Sequence, residues 1–307
     1  MTERLPRIIE FTVEHKGERL DKLLVTQVPE LTRSQLQALI KDGNVTVDGV
    51  GGKPALKLRG GESIRIVIAP PPPAELTPES MSLEVLYEDA QLAVLNKPAG
   101  LVVHPGAGID SGTLANGLLA RYPELAGMKG QRRQGIVHRL DKYTSGVLVI
   151  ARTETALNGL MQQFQSRTVE KRYIALLEAA PSPALGRIDQ PIARDPSERI
   201  KMAVIRTGRP SVTEYQTLEV YPNGMALVSI RLLTGRTHQI RVHFAHLGCP
   251  VVGDTTYGLR KQRVKLGRTF LHAAVLAFDH PGSGARMRFE APLPTELTNV
   301  LSALRNV

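Results

Sequence analysis

Four consecutive prolines, Pro70 to Pro73, constrain what this chain can fold into more than any other feature. Proline has no backbone N–H and a fixed φ, so such a run joins neither a helix nor a central strand. It favours a stiff extended segment, and the surrounding "APPPPAELTPES" (Ala69 to Ser80) reads as a linker. The expected organisation is a small unit over residues 1–69, a proline-rich linker over 70–80 and a larger unit over 81–307.

Before the prolines, Leu20, Leu23, Leu24 and Val28 fall on one helical face. A second helix follows with a capping box, Thr32 as cap and Gln35 three residues on. Its apolar stripe is Leu36, Leu39 and Ile40, and Gly43 is its stop. "NVTVDGV" alternates around an Asp48-Gly49 turn, and "SIRIVIA" places Ile64, Ile66 and Ile68 on one side. Arg19, Lys22, Arg33 and Lys41 lie on the two helices.

After the prolines, "QLAVLNK", "GVLVIAR", "KRYIALL" and "MALVSIRLL" read as strands. "TETALNGLMQQFQSR" reads as a helix with Leu157, Leu160, Met161 and Phe164 inward. Several strands in succession with few helices between them predict an α+β fold around a mixed, mostly antiparallel sheet flanked by helices.

The net charge of +10 and pI near 9.9 suggest a polyanionic partner. "SRTVEKR" (Ser166 to Arg172) and "GLRKQRVKLGR" (Gly258 to Arg268) are basic clusters, whereas Pro71 to Ala90 carries acids and no base. Aromatic residues are 4 % with no tryptophan, which disfavours a broad base-stacking platform. A single cysteine, Cys249, excludes an internal disulfide and a cysteine-rich zinc site. No run of eighteen apolar residues exists, and the charged start "MTERLPRIIEF" lacks a secretion-signal core, so no membrane partner and a cytoplasmic setting are expected.

The P-loop, the strand-borne GxGxxG, the GxSxG elbow and HExxH are all missing. His238, His243 and His246 cluster, but no carboxylate or cysteine completes a ligand set beside them, so no metal is expected. Four other stretches set polar residues beside apolar strands. "NKPAGLVVHP" holds Lys97 and His104 in a Pro/Gly loop. "GIVHRLDKYTSGVLVIAR" puts Asp141 among His138, Arg139 and Lys142, between two apolar segments; a turn cap and a nucleophile or base both suit an aspartate there. In "EKRYIALLE", alternation puts Lys171, Tyr173 and Ala175 on one face. "LLTGRTHQIRVHFAHLG" runs from a strand end into a helix whose start is crowded by Arg236, His238 and Arg241. Cations there oppose the helix dipole and call for a carboxylate or phosphate partner.

Arg-Leu-Asp-Lys occurs twice, at residues 19–22 and 139–142. Asp21 is expected to lie in a first helical turn, where its charge meets the dipole, and Asp141 to do chemistry.

These pieces in this order resemble the RluA family of pseudouridine synthases, with features of its RluD group, and residues 19–68 resemble an S4 RNA-binding domain. The specific signals are "HRLDKYTSG" followed by "TGRTHQIRVH", with "NKPAGLVVHP", "KRYIAL" and "GDTTYG" around them. The resemblance implies isomerisation of uridine to pseudouridine in RNA by base flipping, without cofactor or metal. It implies that Asp141 acts at the ribose, either by attack on C1′ or by removal of a sugar proton. Arg241 would pair with it, Tyr173 would pack on the base and assist at C5, and Arg139 would fill the gap left by the flipped uridine. RNA contacts are expected from His138, Lys142, Arg236, His238, Lys97 and His104, and from Arg19, Lys22 and Arg33 of the S4 segment. The resemblance points to a stem-loop of large-subunit (23S) ribosomal RNA, free or in an assembling subunit, and to a monomer. Three alternatives compete: a synthase acting on transfer RNA, a non-catalytic RNA-binding or ribosome-assembly protein, and a carboxylate-dependent nucleosidase. The last needs a second acid for its leaving group, and none is evident in the four stretches.

Overall fold

The computed structural model describes residues 6–14, 16–68, 76–106, 109–128, 134–198 and 200–306. The chain divides into two compact units, Met1–Glu75 and Leu76–Val307. The proline run lies outside the described residues.

The first unit contains β1 (Arg7–Thr12), α1 (Leu20–Gln27), α2 (Arg33–Lys41), β2 (Val45–Val47), β3 (Val50–Gly51) and β4 (Ser63–Ile68). The strands form an antiparallel sheet in the order β1-β4-β2-β3. Leu20, Leu24, Leu36, Ile64 and Ile66 are fully buried and join helices to sheet. The α2 capping box is present between Thr32 and Gln35. Asp48 and Gly49 both have positive φ, the geometry of a two-residue hairpin turn between Val47 and its partner Val50. Strand β1 was not anticipated: its Ile9 and Phe11 are only half-buried and charged residues interrupt it, so its alternation is weak.

The second unit begins with β5 (Glu84–Glu88), β6 (Leu92–Lys97), α3 (Leu114–Arg121), β7 (Ser145–Ala151), α4 (Glu154–Ser166) and β8 (Glu170–Leu177). It continues with β9 (Leu185–Asp189), the small hairpin β10 (Ile192–Arg194) and β11 (Met202–Val204), β12 (Val212–Val220), β13 (Ala226–Leu232), α5 (Gln239–His246), β14 (Leu271–Asp279), β15 (Arg286–Glu290) and α6 (Thr295–Arg305). A nine-stranded sheet runs β5-β6-β7-β14-β8-β13-β12-β9, with β15 also on β14. Its pairings are antiparallel except β7 with β14, so the sheet is mixed and mostly antiparallel. Among the described residues no helix is long and apolar enough to cross a membrane.

Strand β7 is buried along its whole length, and its two faces serve different cores. Leu148 and Ile150 join Leu114 and Leu118 of α3 and Ile240 and Phe244 of α5. Val147, Val149 and Ala151 join Ala156 and Leu160 of α4. Each large aliphatic side chain buried this way contributes about 1.5–3 kcal/mol, which makes β7 a rigid base for whatever precedes it. Leu76 to Glu79, assigned to the linker from sequence, lie against this unit. Leu76 packs on its core, and Asn116 donates to the Thr77 carbonyl at 2.9 Å.

Candidate active site

The segment before β7, His138 to Thr144, is clamped from beneath. Lys97 Nζ donates to the carbonyls of Pro98 (2.7 Å), Leu101 (2.8 Å) and Lys142 (3.3 Å). The Gly100 N–H reaches the same Lys142 carbonyl at 2.8 Å. Behind, Thr269 donates to Tyr143 O, and Ser145 Oγ lies 2.7 Å from Arg268 Nη2 and 2.8 Å from His272 Nδ1. Gly146 has φ +118 and crosses so close to β14 that a Cβ would sit 2.1 Å from the Ala273 carbonyl oxygen, so glycine is required where the loop enters the sheet. This corrects the expectation that Lys97 contacts RNA. It is 1 % exposed and spends its ammonium on the loop's own carbonyls. Burial, then repulsion from Arg268, pushes its pKa down to about 7 against the pull of Asp141.

The clamp presents the Asp141 side chain, 20 % exposed, to Arg241 in the first turn of α5, with Arg241 Nη1 3.2 Å from Asp141 Oδ2. The other edge of the guanidinium meets a second carboxylate. Arg241 Nε lies 2.7 Å from Asp254 Oδ2, and Nη2 lies 2.9 Å from Oδ1. Asp254 is fully buried and also accepts the N–H groups of Thr256 (2.9 Å) and Tyr257 (3.0 Å). Gly253 places it: at φ +75, a Cβ there would strike the Arg268 carbonyl oxygen at 2.0 Å. The Tyr257 ring lies under the guanidinium, 5.0 Å from centroid to Cζ. Burial raises the Asp254 pKa, but the Arg241 hydrogen bonds and charge outweigh it and hold the carboxyl below the usual range. Burial alone would lower Arg241; the bonds and charge of Asp254, then Asp141, raise it instead. For Arg241, the partner that a cationic helix start calls for is therefore a pair of carboxylates.

Asp141, Arg241 and Tyr173 line one cavity of about 580 Å3, as do His104, His138, Arg139, Arg236 and His238. Tyr173 is buried, and burial, then the Asp141 charge, raises its phenol pKa well above the ordinary value. Arg139 is exposed at the cavity. Lys142 is exposed, with its ammonium 5.3 Å from the Tyr143 ring centroid, and does not line the cavity. Arg236 reaches the Pro210 carbonyl at 3.3 Å. His238 caps α5 with φ 56, and its Nδ1 is 2.8 Å from the Tyr257 hydroxyl, which also accepts the Met202 N–H at 2.9 Å. His243 uses both ring nitrogens, on Thr213 Oγ1 (2.8 Å) and the Gln190 carbonyl (2.9 Å). Among the described residues no His, Cys, Asp or Glu cluster suits a metal. His138 has a different setting from the one expected. Its ring stacks on Phe164 at 4.7 Å and its Nε2 accepts the Val149 N–H at 3.1 Å. Burial, then the Lys171 charge, lowers its pKa to about 3, so it offers a phosphate no cation at neutral pH.

In the first unit, Asp21 does more than meet a helix dipole. Its side chain is fully buried and accepts from Arg19 (3.0 and 3.1 Å), Arg33 (2.6 and 3.1 Å) and Gln37 (2.9 Å). Arg19 and Arg33 thus share one buried anchor while remaining 40 % and 51 % exposed, and Lys22 is exposed beside them on α1.

Sequence reasoning missed Asp254 and Tyr257. A signal was present in "GDTTYG", a carboxylate after a glycine with no stated duty, while Arg241 lacked a second partner. Asp254 also corrects the impression that no second carboxylate is at hand. One is, but it is buried behind Arg241 and held ionised, so it cannot protonate a leaving group as a glycosidase acid must.

Residues 91–246 match the RNA pseudouridylate synthase family and residues 18–64 match the S4 domain. An uncharacterized RNA pseudouridine synthase of Chloroflexus aurantiacus is 48 % identical over 100 % of this chain and 96 % of its own. A ribosomal large subunit pseudouridine synthase D of Xanthomonas campestris is 44 % identical, covering 94 % of this chain and 89 % of its own. The solved structure of human RNA pseudouridylate synthase domain containing 1 is 30 % identical and superposes with a TM-score of 0.56, over 78 % of this chain and 98 % of that one. With both motif regions, the mixed sheet and the S4 unit in agreement, the chain belongs to the RNA pseudouridylate synthase family.

Proposed function

We propose that this synthase acts on large-subunit ribosomal RNA and that Asp141, Arg241 and Tyr173 carry the reaction. The observation that supports the site is the Asp141 carboxylate, supported by Arg241 inside a cavity that also contains Tyr173. The substrate rests on relatives named for the large ribosomal subunit that match nearly the whole chain.

In the reaction the N1–C1′ bond of uridine breaks, the uracil turns while held, and C5 bonds to C1′. The C5 proton leaves and N1 gains one, so product and substrate are isomers. Asp141 acts at the ribose, and Arg241 fixes the direction in which its carboxylate points. Tyr173 packs against the base; its raised pKa keeps the phenol protonated, which suits packing better than proton abstraction. The base must leave its stack to reach the cavity, and Arg139, exposed at the cavity, is the side chain that fills the vacated space in this reading. Arg236 and His238 flank the cavity, and the S4 unit supplies a second grip through Arg19, Lys22 and Arg33.

The test is incubation with deproteinised large-subunit ribosomal RNA followed by pseudouridine mapping. Wild type is expected to convert discrete uridines, and Asp141→Asn to bind the RNA with similar affinity and form no product. Product from Asp141→Asn would remove Asp141 from its role. Conversion only in transfer RNA would overturn the substrate assignment.

A further inference from the structure

The same cavity contains a cation that the reaction does not use. Lys171, on β8 two residues before Tyr173, is 8 % exposed and lines the cavity. Among the described residues it makes no hydrogen bond or ion pair; its Nζ lies 5.8 Å from the Phe164 ring centroid, and its charge also reaches the His138 ring stacked on Phe164. The adjacent carboxylate, Glu170, lies on the opposite face of the strand and pairs with Arg172 and Arg288. A second cation makes matters worse. Arg167, the C-cap of α4, lines the cavity too, and its charge together with burial disfavours the protonated Lys171. Arg167 is held at φ 63, a left-handed conformation that costs a non-glycine residue about 1 kcal/mol or more. A cation on a mostly buried side chain, with no counter-ion among the described residues and an arginine of the same sign beside it, is an arrangement that folding alone disfavours. A bound anion offsets the repulsion between the two cations.

We propose that Lys171 and Arg167 form a phosphate subsite of this cavity, binding a backbone phosphate of the RNA strand whose uridine lies over Asp141. The proposal rests on the RNA-synthase reading for the identity of the ligand. Lys171 and Tyr173 are separated by two strand residues, about 7 Å, so a base against Tyr173 brings the sugar–phosphate of its own or the adjoining nucleotide within reach of the lysine. Phe164 and the largely buried Lys171 stem flank the ammonium in the cavity, where its attraction for a phosphate is less screened than on an open surface.

The experiment compares wild type with Lys171→Met, Lys171→Arg and Arg167→Gln. Binding of an oligouridylate is measured across a salt series, in parallel with thermal melting of the free proteins. Loss of one phosphate contact flattens the dependence of log K on log salt by about 0.7 for a single strand. Lys171→Met and Arg167→Gln are each expected to flatten it by that amount and to weaken binding at low salt several-fold, while Lys171→Arg keeps the wild-type slope. Lys171→Met should melt at or above the wild-type temperature, because it removes a charge that has no counter-ion among the described residues and is repelled by Arg167. On an oligouridylate with an uncharged methylphosphonate backbone, wild type and Lys171→Met should bind alike. An unchanged salt slope in both Lys171→Met and Arg167→Gln would overturn the proposal, as would an affinity loss that persists on the uncharged backbone. Wild type that binds oligouridylate but forms no pseudouridine in ribosomal RNA would count against the substrate reading alone, since the salt slope reports on phosphate contacts regardless of turnover.

Discussion

Arg241 shares its guanidinium between two aspartates of unequal freedom: Asp254 takes Nε and Nη2 in a buried two-point contact, and Asp141 takes Nη1 at 3.2 Å at the cavity. The fork geometry makes the first pairing rigid and leaves the second aimed. Asp254 therefore sets the position of Arg241, and Arg241 that of Asp141.

Asp254→Asn keeps the shape but leaves Arg241 buried with one charge partner fewer. Breaking a buried pair in this way costs about 3–5 kcal/mol of stability. Misplacement of Arg241 should also slow pseudouridine formation about a hundredfold under single-turnover conditions, with RNA affinity little changed. Chemical denaturation and single-turnover kinetics on the same preparation check both parts.

Arg241→Lys keeps the charge and loses the fork. One ammonium cannot satisfy Asp254 at two points and still reach Asp141. A rate loss of about a hundredfold or more is expected, with a lower melting temperature. A lysine variant as active as wild type would show that charge alone suffices.

In the S4 unit, Asp21→Asn raises the net charge by one, and simple attraction would then tighten RNA binding. The opposite is expected, a loss of about three- to tenfold, because Arg19 and Arg33 lose their common anchor. Since both arginines are about half exposed, the stability loss should be only about 1–3 kcal/mol. The Arg19 hydrogen bonds, opposed by burial and aided by Arg33 and Gln37, hold the Asp21 pKa well below the ordinary 3.8. Its stabilising effect is thus complete above pH 3.8 and declines only in stronger acid. Filter binding and melting of the full chain decide the matter.

His138 gives stability a different pH dependence. Its pKa falls from 6.5 to about 3 on folding, so between those values the unfolded chain binds a proton that the folded chain refuses. Stability should therefore be full above pH 6.5 and decline as pH falls toward 3, by on the order of 2–4 kcal/mol from this group. His138→Phe preserves stacking on Phe164 and removes the titration. It should be less stable at neutral pH, having lost the acceptor for the Val149 N–H, yet show a shallower acid decline in urea titrations.

The two Arg-Leu-Asp-Lys segments show where local sequence stops being informative. Helix α2, with Thr32 and Gln35 at its start and leucines at helical spacing, was legible because capping and amphipathicity are set by near neighbours. The α+β class was legible for the same reason, and family resemblance supplied the roles proposed for the polar residues around Asp141 and Arg241. The tetrapeptide itself does not separate Asp21 from Asp141, and their partners are settled only by tertiary structure. Arg19 bonds to Asp21 two residues on, whereas Arg139 is exposed at the cavity and Asp141 takes its arginine from one hundred residues away.

The sequence by itself determined the elements, their caps, the apolar faces and which polar residues stand at strand ends. Only the tertiary structure decided their duties. It buried Lys97 under three carbonyls, made His138 a neutral packing group, brought Asp254 behind Arg241 and left Lys171 with no counter-ion among the described residues. The physical reason is that a charged side chain's function depends on its solvation and its partners. In this chain both are set by sheet pairings and loop crossings between residues far apart in sequence.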